Sequence, residues 1–269
     1  MRKLTRSVQK VNAQVIGLDV HKHLIFYCRL DRRGEEVSSG RCAATREGLE
    51  KLLKREVGRK KTHFAFEASG YALWVHDLLV ARCGAEVVHV AQAKKIRAIA
   101  NSRQKNDAND ASWLAYLTYE SRLPEAWIPQ GVHRELRLAS RARIHAVRRR
   151  SRLVTIFRSH LAQVGERVSS SLSSVRGWER AVELAGQVEG ARGDVLRECL
   201  EEIELYDRRI ATWEERIAGL VEQLPAVAAI EREIPGLGRV LAAAVYAETG
   251  PLERFGRAKS FAGFTGLPP

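Results

Sequence analysis

The sequence has no apolar run approaching the roughly 20 residues that a bilayer span requires. Its four cysteines, Cys28, Cys42, Cys83 and Cys199, are scattered without a CxxC pair. That spacing argues against a zinc site and a disulfide scaffold and makes a reducing cytoplasm the expected location. The first fourteen residues carry Arg2, Lys3, Arg6 and Lys10 with no apolar core behind them, so they read as a basic arm rather than a signal peptide. Acidic residues are in short supply, 32 against 45 lysines and arginines, for a formal net charge of +13. A surplus of that size favours a polyanionic partner, and nucleic acid comes before membrane because no lipid-facing helix or lipidation motif is present. At 269 residues there is chain enough for one large domain or two smaller ones.

What is there begins with Val15-Ile16-Gly17-Leu18-Asp19-Val20-His21-Lys22. The β-branched, apolar run predicts a buried central strand carrying a carboxylate. An ionised Asp19 there needs a partner, a bound cation or an adjacent lysine, unless it sits at the strand end and caps a turn. His21 and His23 flank Lys22 and are candidates for touching a metal or a phosphate. Three strands are expected over 15–21, 24–30 and 36–43, with the Asp31-Arg32-Arg33-Gly34 turn joining the last two as a hairpin. Thr45 is expected to cap a helix running to Gly58. A strand follows over 62–68 that carries Glu67, with Ser69 as the next N-cap, then a helix over 70–83, a strand over 85–90 and a helix carrying Lys94, Lys95 and Arg97. Three antiparallel strands followed by alternating helices and strands are what a ribonuclease H-like α/β architecture would produce, though periodicity alone leaves other α/β layouts open.

In Lys105-Asn106-Asp107-Ala108-Asn109-Asp110-Ala111 the two aspartates lie three apart at the head of a helical pattern. That spacing puts both carboxylates on one face, where a cation would relieve their repulsion. The competing reading is an N-cap followed by a first-turn acid. A long helix is expected over 133–163. Between His133 and His160 it carries nine arginines, among them Arg141, Arg148, Arg149 and Arg152, against Glu135 alone. Guanidinium groups grip phosphate bidentately and solvated helix faces are usually mixed in sign, so this helix reads as a nucleic-acid contact. Serines at 169–171 and 173–174 mark a loop. A second long helix over 194–224 places Leu196, Leu200, Ile203, Tyr206, Ile210, Trp213, Ile217, Leu220 and Leu224 in steps of three and four, the seam of a coiled coil or antiparallel hairpin. After Pro225, Ile234-Pro235-Gly236-Leu237-Gly238 precedes an alanine-rich helix. A Gly-x-Gly turn opening a helix, here Gly236 and Gly238, offers amide groups to a phosphate, as in helix-hairpin-helix DNA binders.

The four stretches around Asp19, Glu67, Asp107/Asp110 and Gly236/Gly238, in that order, resemble the IS110/IS1111 family of insertion-sequence transposases across nearly the whole chain. The resemblance implies a RuvC-like, ribonuclease H-fold domain over 15–130 behind the arm at 1–14, a helical or coiled-coil section over 131–224, and part of a C-terminal transposase domain over 225–269. It implies a D-E-D-D set of Asp19, Glu67, Asp107 and Asp110 holding Mg²⁺ or Mn²⁺ for DNA cleavage and transfer. DNA and an element-encoded guide RNA are the implied partners, and the heptad seam over 194–224 adds further copies of the chain, as a dimer or tetramer. Members of the family use a serine nucleophile in a Ser-Gly-Gly-like stretch beyond the Gly-Leu-x-Pro motif. The chain stops at that motif, so no serine takes the role, Ser260 included, and the expectation is a chain cut short and inactive in strand exchange.

Other readings of the same residues are a Mg²⁺-dependent nuclease that resolves DNA junctions with the four acids alone, and a non-catalytic binder that relies on the arginine helix. Actin-like ATPases share the opening Gly-x-Asp strand but need a second phosphate loop and an adenosine motif, neither of which is seen.

Overall fold

The computed structural model describes residues 10–57, 61–93, 95–96 and 107–266, with 107–109 as backbone. Most of the basic arm, Lys94, Arg97, Lys105, Asn106 and the side chain of Asp107 lie outside the described residues. Backbone contacts divide the chain into two units, Met1–Ile128 and Pro129–Pro269.

The first unit is built on a five-stranded sheet of order β3-β2-β1-β4-β5. Its strands are β1 (Gln14–Val20), β2 (Leu24–Leu30), β3 (Glu36–Ala43), β4 (Thr62–Glu67) and β5 (Val88–Ala91). The first three pair antiparallel, whereas β4 runs parallel to β1 and β5 parallel to β4. The helices are α1 (Arg46–Glu56), α2 (Leu73–Cys83) and α3 (Asp107–Tyr119). This mixed α/β unit is consistent with the layout expected from the strand and helix pattern. Side chains alternate across β1. Ile16 and Leu18 join Ile25, Tyr27, Phe64 and Phe66 in a core closed by Leu49 and Leu52 of α1 and Val75 and Leu79 of α2. On the opposite face Val15, Cys28 and Leu30 pack under Ala111, Ala115 and Tyr119 of α3, and Ala65 and Ala91 pack with Leu114. Burial on both faces is why the strand reads as a near-continuous apolar run.

Thr45 caps α1 as expected, its Oγ1 accepting from the Gly48 amide at 3.1 Å. Ser69 does not cap α2. Its carbonyl accepts from the Ala72 amide at 3.2 Å, and this turn tucks Ala72 into the core before the helix begins at Leu73. The strand expected over 85–90 is shorter, because Ala85–Val87 form a 3₁₀ turn after Gly84, whose φ is +93°, and pairing with β4 starts only at Val88.

The second unit is helical. Its two longest members, α4 (Gly131–Ala162) and α6 (Gly190–Val221), lie antiparallel, since Glu135 meets Arg216, Arg143 meets Glu214 and Arg150 meets Asp207. The regular seam on α6 therefore packs within the chain. One end is sealed by α5 (Val175–Gln187), with Phe157, Leu161, Ala181, Leu184, Leu196 and Ile203 in a common core. The other is sealed by α7 (Pro225–Glu233) and α8 (Arg239–Thr249), where Leu136, Ile217, Val221, Val227, Ala243 and Tyr246 meet. A short α9 (Ala258–Thr265) follows. No helix among the described residues is long and apolar enough to cross a membrane.

Candidate active site

β1 is flanked by β2 on one side and β4 on the other, so the chain reverses its direction of travel across the sheet between β1 and β4. In open α/β sheets that reversal leaves a crevice at the carboxyl ends of the strands, the habitual place for a ligand. The parallel register runs Gly17↔Ala65 and Leu18↔Phe66. The next residues on the two strands are Asp19 and Glu67, on chains about 4.8 Å apart. Both follow the parity of Gly17 and Ala65 and therefore stand on the α3 face of the sheet.

Gly17 explains how α3 reaches them. A Cβ at this position would overlap the Ala111 carbonyl oxygen and come within 2.7 Å of the Ala115 amide nitrogen, so the helix backbone rests directly on the strand. At the far end of the helix the Tyr119 carbonyl accepts from the Val11 amide at 2.9 Å, ahead of β1. Hence α3 runs antiparallel to β1 and its first turn, starting at Asp107 and containing Asp110, lies toward the Asp19 end. A glycine inside a β-branched strand is the signal of such an approach, and it was there to be read in the sequence.

Asp19 is largely sheltered, its side chain 16% exposed, and His21 Nε2 lies 2.8 Å from its Oδ2. Glu67 and Asp110 are half-buried. Carboxylate oxygens of this kind suit a hard divalent cation, and the shared face suits a shared ligand. Among the described residues, however, no three His, Cys, Asp or Glu side chains converge closely enough to hold one metal ion. Lower on the same face, His63 Nδ1 lies 2.8 Å from His89 Nε2, and His89 Nδ1 lies 2.6 Å from Glu125 Oε1. Burial, then the neighbouring His89 and Lys61, push His63 below the usual imidazole range. The hydrogen bond from His89 holds Glu125 below the usual carboxylate range. This chain, invisible in the sequence because its members are 26 and 36 residues apart, fastens the Glu125 segment to the edge of β5.

In the second unit the arginines of α4 divide into two groups. Arg141 forms a bidentate pair with Glu248 of α8 at 2.7 and 2.8 Å and holds that carboxyl below its usual range. Arg143 and Arg150 pair with Glu214 and Asp207 of α6, and Arg149 donates to the Tyr206 hydroxyl at 3.2 Å. Arg148 and Arg152 are exposed one helical turn apart, and among the described residues neither has a hydrogen-bonding or ionic partner. Gly236 has φ +82°, a left-handed conformation, in the exposed turn between α7 and α8, and Gly238 is the N-cap of α8. The sequence pattern could not reveal that Arg141 is already engaged, because Glu248 lies 107 residues away.

A family profile for transposases, DEDD_Tnp_IS110, matches residues 16–166, more than half of the chain. The chain belongs to the IS110 transposase family. A second profile, described as the transposase IS116/IS110/IS902 family, matches residues 228–269 of this IS110-family chain. The chain is also 24% identical over 282 aligned positions to the transposase for insertion sequence element IS1111A of Coxiella burnetii (strain RSA 493 / Nine Mile phase I), an alignment covering 100% of this chain and 71% of that protein. The class of enzyme is thus a transposase. The first profile takes in all of Asp19, Glu67, Asp107 and Asp110 together with α4, and the second takes in Gly236 and Gly238.

Proposed function

We propose that this IS110-family transposase cleaves and transfers DNA of an insertion sequence through a ribonuclease H-like domain in which Asp19, Glu67, Asp107 and Asp110 hold Mg²⁺ or Mn²⁺. An element-encoded guide RNA and additional copies of the chain belong to the same reading. The observation that carries it is the resting of α3 on Gly17, with the acid-bearing first turn directed toward the strand end that holds Asp19. A divalent ion bound there would polarise a phosphodiester and stabilise the attacking and leaving oxygens. The chain's own contribution is to set Asp19 and Glu67 of two adjacent strands on one face of the sheet and to lay the first turn of α3 toward the same strand end.

The test is Mn²⁺ binding by the whole chain, measured calorimetrically. Loss of an outer-sphere partner typically weakens metal affinity 10- to 100-fold, and loss of an anionic ligand is expected to cost more, so Asp19→Asn should weaken binding by over about 100-fold. Wild-type affinity in this variant would overturn the metal assignment.

Nucleic-acid binding rests on Arg148 and Arg152, with the Gly236–Gly238 turn as a second phosphate contact and Arg149 at the flank. Arg141, engaged by Glu248, contributes less in this reading. For duplex DNA each neutralised phosphate adds about 0.9 to the slope of log affinity against log salt. Replacing both Arg148 and Arg152 with alanine is therefore expected to flatten that slope by about 1.8. An unchanged slope in a salt titration would remove these two side chains from the interface.

A further inference from the structure

His21 stands two residues beyond Asp19, on the same side of the chain. Its backbone amide donates to the Leu24 carbonyl at 2.9 Å, which closes the turn between β1 and β2 and fixes where the imidazole starts. The ring meets Phe26 edge to face, with centroids 5.9 Å apart and planes at 86°. Phe26 is the cross-strand partner of Asp19 and so shares its face. From this fixed position Nε2 reaches Asp19 Oδ2 at 2.8 Å. Towards an ionised carboxylate, which only accepts hydrogen bonds, the imidazole serves as donor in its Nε2–H tautomer.

We infer that His21 is a positioning residue that aims the Asp19 carboxylate at the divalent ion through its Nε2–H and is not itself a ligand through that nitrogen. The inference rests on the metal site proposed above and assigns a task within it. Two features support the role. The carboxylate is the sheltered partner and the imidazole the more open one, at 16% and 47% exposure, as expected if the ring serves to orient the acid. The 21–24 turn fixes where the side chain leaves the backbone and the Phe26 contact favours one ring orientation, so the imidazole meets the carboxylate from a defined side. Outer-shell hydrogen bonds of this kind preorganise ligating carboxylates, and their loss typically weakens metal affinity 10- to 100-fold. Phe26 acts one step further out, by holding the ring.

The experiment is Mn²⁺ titration of the whole chain, followed by calorimetry and by the electron paramagnetic resonance signal of free Mn²⁺, in His21→Phe, His21→Gln and Asp19→Asn. Phenylalanine keeps a ring for Phe26 but removes the donor, whereas glutamine keeps an N–H donor without the ring. Affinity is expected to fall about 10-fold in His21→Phe and to stay within about 3-fold of wild type in His21→Gln. Wild-type affinity in His21→Phe, or equal losses in the two variants, would overturn the positioning role while leaving the metal site standing, provided Asp19→Asn binds weakly. Wild-type affinity in Asp19→Asn would overturn the metal site and the inference with it.

Discussion

Gly17→Ala is expected to destabilise the first unit by about 3 kcal/mol, the upper end of the usual cost of overpacking. The reason is the identity of the atoms it meets. The new methyl would collide with the carbonyl oxygen of Ala111 and the amide nitrogen of Ala115. No rotamer change or trimmed side chain on α3 can relieve a clash with backbone. The helix must rise from the sheet, opening the layer formed by Val15, Cys28, Ala115 and Tyr119. The same displacement would carry the first turn of α3, with Asp110, away from Asp19, so if the metal site proposed above is correct Mn²⁺ affinity should fall together with stability. Urea denaturation followed by circular dichroism gives the first quantity and Mn²⁺ calorimetry the second. A variant within about 0.5 kcal/mol of wild type, the range of neutral surface changes, would show that α3 does not lie as close as described.

The second large effect is expected at the opposite end of the sheet. Glu56, the last residue of α1, is 7% exposed and accepts hydrogen bonds from Ser38 at 2.7 Å, Arg55 at 2.7 Å and Tyr27 at 3.1 Å, while Arg29 Nε lies 3.1 Å away. The Gln14 side chain donates to the Glu56 carbonyl at 2.9 Å. The cluster ties the end of α1 to β1, β2 and β3. Glu56→Gln would remove the charge and point an amide N–H at groups that are themselves donors, leaving Arg29 with a weakened partner. Because Arg29 and Arg55 stay 24% and 60% exposed, the expected cost is that of losing hydrogen bonds to a charged group, about 1.5–3 kcal/mol, rather than that of a fully buried ion pair. Burial alone would raise the Glu56 pKa, but the hydrogen bonds from Ser38, Arg55 and Tyr27 and the charge of Arg29 outweigh it and hold the carboxyl below its ordinary range. A carboxylate depressed on folding stabilises the native state above its unfolded pKa of about 4.3, and that contribution is lost as pH falls through the lower folded value. Denaturation midpoints of the wild type should therefore drop on acidification below about pH 4.3, and Glu56→Gln should lack that component. Parallel pH profiles in the two proteins would sink the assignment.

The strands of the first unit were legible because their chemistry is local. Alternation and β-branching predict β2 and β3 over the residues that form them and β1 to within one residue at each end. The order of elements then carries the layout of the sheet. The two long helices were legible for a similar reason, through period and charge. Helix α5 carries the same kind of local signal, with Trp178, Ala181, Leu184 and Ala185 at helical spacing on its buried side, yet no helix is expected there and only the serine-rich loop before it is read from the sequence. What the sequence could not show was partnership across long separations. The arginines of α4 look like a uniform basic face until Glu214, Asp207 and Glu248 are brought to four of them by the antiparallel α6 and by α8. The acids are a middle case. Their strand and helix positions were readable, and Gly17 inside a β-branched run signalled a close approach, but which element makes that approach appears only in three dimensions.

That glycine has a further consequence for how the sheet assembles. A strand displaced by one residue turns its apolar set to the wrong face and is rejected by burial alone. Displacement by two preserves parity, and along β1 it would exchange one apolar pattern for another of nearly equal merit. Under α3, however, such a slip would seat either Val15 or Asp19 where Gly17 belongs, and the helix backbone has no room for either side chain. Gly17 thus discriminates among same-parity alignments that hydrophobicity cannot separate, and the alignment it admits is the one that brings Asp19 beside Glu67.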